Sequence, residues 1–209
     1  MSNINNKGLV LIISSPSGAG KTTICKELID QVSDIDLSVS VTTRKKRKDE
    51  IEGKHYFFKT DKEFSKLIKQ NEFLEYANVF GCLYGTLKNE VVSKINNGTD
   101  VIVDIDWQGT RQISKYLPHD IVKVFILPPS MKELEYRLGK RASENKENFL
   151  KRMSEAKKEI SHYKEYDFVL VNCEVQNIVN KIKSILYSER LRRHRQYTLR
   201  KTLDKLLKN

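Results

Sequence analysis

The chain has 209 residues, with 38 Lys+Arg against 27 Asp+Glu and a formal net charge of +11. That length suits one domain, or one domain with a small inserted lobe, and 39% hydrophobic residues beside 31% charged ones exclude global disorder. No apolar run approaches the roughly 18 residues of a membrane-spanning helix, and Cys25, Cys82 and Cys173 are too scattered for a disulfide framework or a zinc cluster. The polar start, Met1 to Gly8, lacks the apolar stretch of a signal peptide, so the expected compartment is the cytoplasm.

In chain order, Gly8–Ile13 is a continuous apolar run that reads as a buried parallel strand, and Ile24, Leu28 and Val32 then recur at helical spacing. Residues 37–90 differ in character. Leu37–Val41, His55–Lys59 and Phe73–Phe80 are short, aromatic-rich strand candidates around an amphipathic helix near 61–70, which predicts an inserted α+β lobe forming one wall of a cleft. Val101–Ile105, Ile121–Leu127 and Phe168–Val171 are further buried strands, with helical patterns near 107–117, 130–139 and 148–165 between them. Strands alternating with helices predict an α/β fold with a parallel central sheet. Residues 190–209 carry +7 of the net charge, interleaved with leucines. Their plain reading is an amphipathic terminal helix, the alternative a contact with RNA or another acidic surface.

The first strand runs into Ser15-Pro16-Ser17-Gly18-Ala19-Gly20-Lys21-Thr22. This is the phosphate-loop pattern with Ser15 in place of the first glycine. Small residues let backbone N–H groups turn inward on phosphate oxygens at a helix N-terminus, Lys21 reaches the β/γ-phosphates, and the Thr22 hydroxyl can ligate Mg²⁺. Asp104 ends a buried strand on the side where open α/β sheets bind ligands, placing it to hold Mg²⁺ through water. Asp106 follows on the same side if the strand continues; a helix cap is the plainer reading of each aspartate.

With these motifs in place, the sequence resembles the bacterial guanylate kinases from about Leu9 to Glu189. The resemblance rests on Pro16–Lys21, Ser40-Val-Thr-Thr-Arg44 with Arg47, Gly53-Lys-His-Tyr56, Glu72-Phe-Leu-Glu75, Tyr84-Gly85-Thr86, Asp104–Gly109, the series Arg137, Arg141, Arg152, and Val171-Asn172. It implies transfer of the γ-phosphoryl group of ATP to GMP or dGMP, with Mg²⁺, on a P-loop parallel sheet flanked by helices. It further implies a core (8–36, 91–136 and 153–189), a GMP-binding lobe (37–90), a short helical lid (137–152) and a basic tail (190–209). The acceptor phosphate would be held by Arg44, Arg47, Tyr56 and Tyr84, and the guanine by Ser40, Glu75, Thr86 and Asp106, with Gly85, between Tyr84 and Thr86, also against GMP. ATP would lie against Ser15–Thr22, Arg137 and Asn172. Lys21, Arg44, Arg137, Arg141 and Arg152 would serve the transfer itself. Ser15, Ala142 and Cys173 depart from the residues usual in the family.

The chemistry of these residues is consistent with those roles. Arginines offer planar forks suited to phosphate. A carboxylate such as Glu75 accepts from both N1–H and the exocyclic amine of guanine, a pair that adenine lacks. Arg137 and Arg141 are spaced i, i+4 on one helix face, and phosphoryl transfer needs charge neutralisation more than a covalent nucleophile. The plainer readings are a solvated basic turn at Arg44–Lys48, an edge-strand Glu75, and a charged amphipathic helix at Arg137–Arg141. Rival functions are a kinase for another phosphorylated acceptor, a non-catalytic peptide-binding module of the same fold, and a nucleic-acid binder driven by the tail. The sequence carries no base-reading element, and an oligomeric state is not legible.

Overall fold

The computed structural model describes residues 6–79, 81–141 and 146–208. The chain opens with β1 (Val10–Ser14), α1 (Lys21–Gln31) and β2 (Ile35–Leu37), then β3 (Val41–Thr42), β4 (Phe57–Phe58), α2 (Asp61–Lys69), β5 (Phe73–Val79) and β6 (Cys82–Leu87). It continues through α3 (Lys88–Asn96), β7 (Asp100–Asp104), α4 (Trp107–Tyr116), β8 (Ile121–Leu127) and α5 (Met131–Arg141). It closes with α6 (Lys146–Ser161), β9 (Phe168–Val171), α7 (Val175–Arg190) and α8 (Tyr197–Leu206).

Five strands form a fully parallel sheet in the order β2-β7-β1-β8-β9. All of β1 is buried because helices cover both faces of the sheet, the reason its sequence is a continuous apolar run. Its side chains alternate between two cores. Leu9, Leu11 and Ile13 pack with Ile24 and Leu28 of α1 and Ile178, Val179 and Ile182 of α7. Val10 and Ile12 pack with Val91 and Ile95 of α3 and Ile113 of α4.

A second sheet, β4-β3-β6-β5, builds the inserted lobe, with Phe64 of α2 stacked on Phe73 over its buried face. Thr60 caps α2 in a reciprocal capping box with Glu63, which fixes where that helix starts.

The expected single strand over Leu37–Val41 is two strands in different sheets. Leu37 ends β2 in the main sheet, the Ser38 N–H still bonds the Ile102 carbonyl, and Val41 begins β3 of the lobe. The expected helix over 148–165 stops at Ser161, and a separate 3₁₀ turn covers Tyr163–Glu165. In the basic tail, α8 begins only at Tyr197; before it, Arg190 is bonded to buried Asp100 and Arg195 is itself buried beside Glu189. No helix among the described residues is long and apolar enough to cross a membrane.

Candidate active site

An open cleft of about 570 Å³ lies at the C-terminal ends of β1 and β7, between the parallel sheet and the lobe. Its floor is the loop from Ser15 to Gly20. Gly18 and Gly20 have φ of +90° and +97°, values that strain any residue with a Cβ, and they let the loop curl before α1 begins at Lys21. Gly20 supplies no side-chain cap, leaving the first N–H groups of α1 free of any such acceptor. Asn172, just after β9, braces the loop from below: its Nδ2 donates to the Ala19 carbonyl at 2.7 Å, and both residues are buried.

Lys21 Nζ lies 2.5 Å from Asp104 Oδ1. Burial disfavours the ammonium, but the Asp104 carboxylate outweighs that, with help from Glu159, and the pKa is pushed up to about 12. The lysine therefore stays charged where phosphate would sit. Thr22 and Asp104 also line the cleft. A hydroxyl and a carboxylate are hard oxygen donors that suit Mg²⁺, an ion that usually takes few protein ligands and completes its shell with phosphates and water. Among the described residues, no group of three or more His, Cys, Asp or Glu side chains could hold a metal ion.

On the opposite wall, Glu75 of β5 faces Thr86 of β6 in register. Thr86 Oγ1 donates to Glu75 Oε1 at 2.6 Å, and the side chains are buried. Burial pushes the Glu75 carboxyl up to about 7 against the Thr86 hydrogen bond, and the charge of nearby Asp106 adds to the rise. Asp106 is the N-cap of α4, accepting from the N–H groups of Gln108 and Gly109 at 2.9 and 3.0 Å. It is a helix cap and lines the cleft as well. Gln112 locks α4 to β5 by bonding both the N–H and the carbonyl of Tyr76, which fixes Glu75 beside Asp106.

Ser40, Tyr56 and Tyr84 complete the same wall, the tyrosine rings meeting edge to face at 6.0 Å. Gly85 is buried, and a Cβ there would come within 2.8 Å of the Phe73 ring. Arg44 lies 5.3 Å over the Tyr56 ring and is gripped bidentately by Glu50, at 2.6 and 3.1 Å. That pairing draws the Glu50 carboxyl down to about 2. Arg47 donates its backbone N–H to Glu50, while its side chain is exposed.

The cleft thus joins a phosphate loop to a buried carboxylate–hydroxyl pair, and the comparisons with known proteins agree on what carries that combination. The guanylate kinase family model matches residues 7–189. A curated guanylate kinase of Novosphingobium aromaticivorans is 48% identical over 193 residues, covering 92% of this chain and 87% of its own. One from Rickettsia prowazekii is 48% identical over 185 residues, covering 88% and 93%. The crystal structure of guanylate kinase from Anaplasma phagocytophilum superposes with a TM-score of 0.81 at 35% identity, over 98% of this chain and 97% of that one. This chain belongs to the guanylate kinase family.

Of the residues that the guanylate kinase motifs single out, Ser15–Gly18, Gly20–Thr22, Ser40, Tyr56, Glu75, Tyr84, Asp104 and Asp106 line the one cleft. Ala19 and Thr86 are buried beneath it. Arg137 and Asn172 line a smaller hollow of about 350 Å³, with Gly18, Gly20, Thr23, Cys173 and Val175. There Arg137 Nε is held by Glu133 at 2.7 Å, one turn away on α5. Arg152 lies half-buried on α6, outside the residues that line either hollow. The Arg141 side chain and residues 142–145, Ala142 among them, lie outside the described residues.

Three members of the site are absent from the roles read out of the sequence. Glu50 holds Arg44. Gly109 passes so close to Glu75 that a Cβ would sit 2.7 Å from its Oε2. Glu159, on α6, lines the cleft beside the phosphate loop. The first had a local signal, an acidic residue inside a basic turn; the other two meet the site only through the tertiary fold.

Proposed function

We propose that this protein transfers the γ-phosphoryl group of ATP to GMP or dGMP, giving ADP and GDP or dGDP. The observation that carries this reading is the buried Glu75–Thr86 pair opening into the same cleft as Lys21. A carboxylate held this way accepts from N1–H and the 2-amino group of guanine. Adenine would leave it buried and unpaired, a discrimination that can reach about 10⁴.

In this reading, the phosphate-loop N–H groups and Lys21 bind the β- and γ-phosphates of ATP, with Arg137 and Asn172 on the donor side. Arg44, Arg47, Tyr56 and Tyr84 hold the phosphate of GMP, whose oxygen attacks the γ-phosphorus as the bond to the β-phosphate oxygen breaks. Ser40 and Asp106 border the base. Arg137, Arg141 and Arg152 neutralise the equatorial oxygens of the migrating group, a task of positioning and charge that needs no covalent nucleophile. Mg²⁺, when bound, supplies charge neutralisation on the donor phosphates, and Thr22 and Asp104 (through water) are the residues that would hold it. Residues 37–90 would act as the GMP lobe, 137–152 as a lid that excludes water, and the rest of 8–189 as the core.

The test is coupled ADP formation from Mg·ATP with GMP, AMP, UMP and dTMP in turn. Turnover selective for GMP is expected; a folded protein inactive with all four would move the assignment to a non-catalytic binding module.

A further inference from the structure

The chain passes between the parallel sheet and the lobe twice, outward from β2 into β3 and back from β6 into α3. The outward passage has an anchor on each side. The Ser38 N–H donates to the Ile102 carbonyl of the main sheet at 2.9 Å, and the Ser40 carbonyl accepts from the Phe57 N–H of the lobe at 2.9 Å. Val39 stands between them, and its N–H donates to Glu90 Oε1 of α3 at 3.2 Å.

Glu90 sits at the point where the returning chain rejoins the core. The next residue, Val91, is buried with Val10, Ile12 and Ile95. Lys94 Nζ, one turn further on, lies 3.3 Å from the same Oε1 and 3.1 Å from Asp36 Oδ2 in β2. One carboxylate oxygen therefore joins the outgoing chain to the returning helix and, through Lys94, to the strand where the passage begins. Glu90 Oε2 is closed off from solvent with no hydrogen-bond partner. Sealing a carboxylate oxygen in this way is costly, and the contacts of Oε1 offset that cost.

Ser38 and Ser40, on either side of Val39, both line the main cleft. With the Val39 N–H held, the peptide between Ser38 and Val39 has one orientation. Without that bond the segment is pinned only at its two ends, and the soft dihedrals between them can turn. We propose that Glu90 is a positioning residue for the acceptor nucleotide, which by holding the Val39 N–H fixes where Ser40 meets the guanine. This rests on the assignment of Ser40 to the base made above. Ser40 borders the base and not the reacting phosphates, so losing the clasp should weaken GMP binding and leave the transfer step alone.

The test is made on the full-length protein, with kcat and both KM values measured for wild type, Glu90→Ala, Glu90→Gln, Ser40→Ala and the Ser40→Ala/Glu90→Ala pair. Glutamine keeps an acceptor oxygen for the Val39 N–H. Glu90→Gln should therefore stay within about threefold of wild type, while Glu90→Ala raises the KM for GMP about tenfold with kcat and the KM for ATP within about twofold. The pair should bind GMP no more than about twofold worse than Ser40→Ala alone, because nothing is left to position. If Glu90→Ala does not fold, Glu90→Asp, one methylene too short for the contact, replaces it.

Amide hydrogen exchange at Val39 reads the clasp without any turnover, and it should be about tenfold faster or more in Glu90→Ala than in wild type. Unchanged exchange would overturn the clasp itself. Effects on the KM for GMP that multiply in the pair, a Glu90→Gln enzyme as poor as the alanine variant, or a Ser40→Ala enzyme with a normal KM for GMP would each overturn the positioning role. A wild-type protein without GMP turnover but with Glu90-dependent exchange at Val39 would instead overturn the kinase reading, and the positioning role with it, while leaving the clasp in place.

Discussion

Glu75 and Thr86 face each other across β5 and β6 with 2.6 Å between Oε1 and Oγ1, and the two residues are 4% and 0% exposed. The hydroxyl occupies one oxygen of the carboxylate and fixes its plane, leaving the other directed towards Gly109. Burial holds this carboxyl up near 7, well above its ordinary range, in the nucleotide-free protein.

Guanine recognition as proposed needs the charged form, so binding GMP should drive the proton off. Below about pH 7, GMP binding is expected to release a proton from Glu75, and GMP affinity should rise as pH approaches 8. Calorimetry at pH 6 in buffers of different ionisation enthalpy measures the release. Comparison with Glu75→Gln separates it from the titration of the GMP phosphate itself. The sign for stability is the reverse of that for a salt-bridged carboxylate. The native state keeps the proton longer than the unfolded chain, so stability of the free protein should fall as pH rises from about 4.5 to about 7. Glu159, raised to a similar value by burial, acts in the same direction.

Gly109 leaves no room behind Glu75. Gly109→Ala places a methyl 2.7 Å from Glu75 Oε2 and 3.1 Å from its Cδ, and the carboxylate must swing aside. The expected result is a rise of roughly tenfold or more in the KM for GMP with the KM for ATP unchanged, in a protein that still folds, since alanine favours the helix it enters. Unaltered GMP kinetics would contradict the tight fit.

Asn172 acts on the donor side as a brace under the loop. Asn172→Ala removes the donor to the buried Ala19 carbonyl, a loss of about 1–3 kcal/mol, which lowers Tm by several degrees in a chain of this size. The KM for ATP should rise while that for GMP stays within about twofold, as steady-state kinetics on both substrates would show.

The basic tail divides into two parts. Arg190 Nε bonds Asp100 at 2.8 Å, and Asp100 is 1% exposed. Arg190→Ala takes the cation from Oδ2 of that buried carboxylate and leaves the Leu9 N–H on Oδ1, with an expected cost of about 3–5 kcal/mol by chemical denaturation. Removing residues 197–209 takes away α8 and should change stability and turnover much less. Equal destabilisation by the two changes would contradict the division.

The strands of the main sheet were legible from their apolar runs. Ile121–Leu127 and Phe168–Val171 stand where their runs put them and β1 falls within two residues of its run, but β9 is not the buried strand expected: it lies at the sheet edge, with Val169 and Val171 exposed. Leu37–Val41 misleads because short alternating residues look alike in either sheet; only the Ser38 bond to Ile102 shows where the chain leaves one for the other. The strand Cys82–Leu87 contains a glycine and two polar residues and becomes a strand by pairing with β3 and β5, a long-range cause. Helix α7, by contrast, is written in the spacing of Ile178, Ile182 and Leu186 and is simply absent from the expected elements. At the site, residues that sit in contiguous motifs were legible as types and positions. The partnerships of Glu50 with Arg44 and of Gly109 with Glu75 were not. Each depends on a distance that only folding sets.

The central claim is that a buried carboxylate in this cleft selects guanine. The most direct measurement is the ratio of kcat/KM for GMP to that for AMP, with Mg·ATP as donor, in wild type and in Glu75→Gln. The account predicts a wild-type ratio of about 10⁴ or more that falls at least 100-fold in the variant, with the KM for ATP unaffected. A ratio near one in the wild type, or one left intact by the substitution, would contradict it.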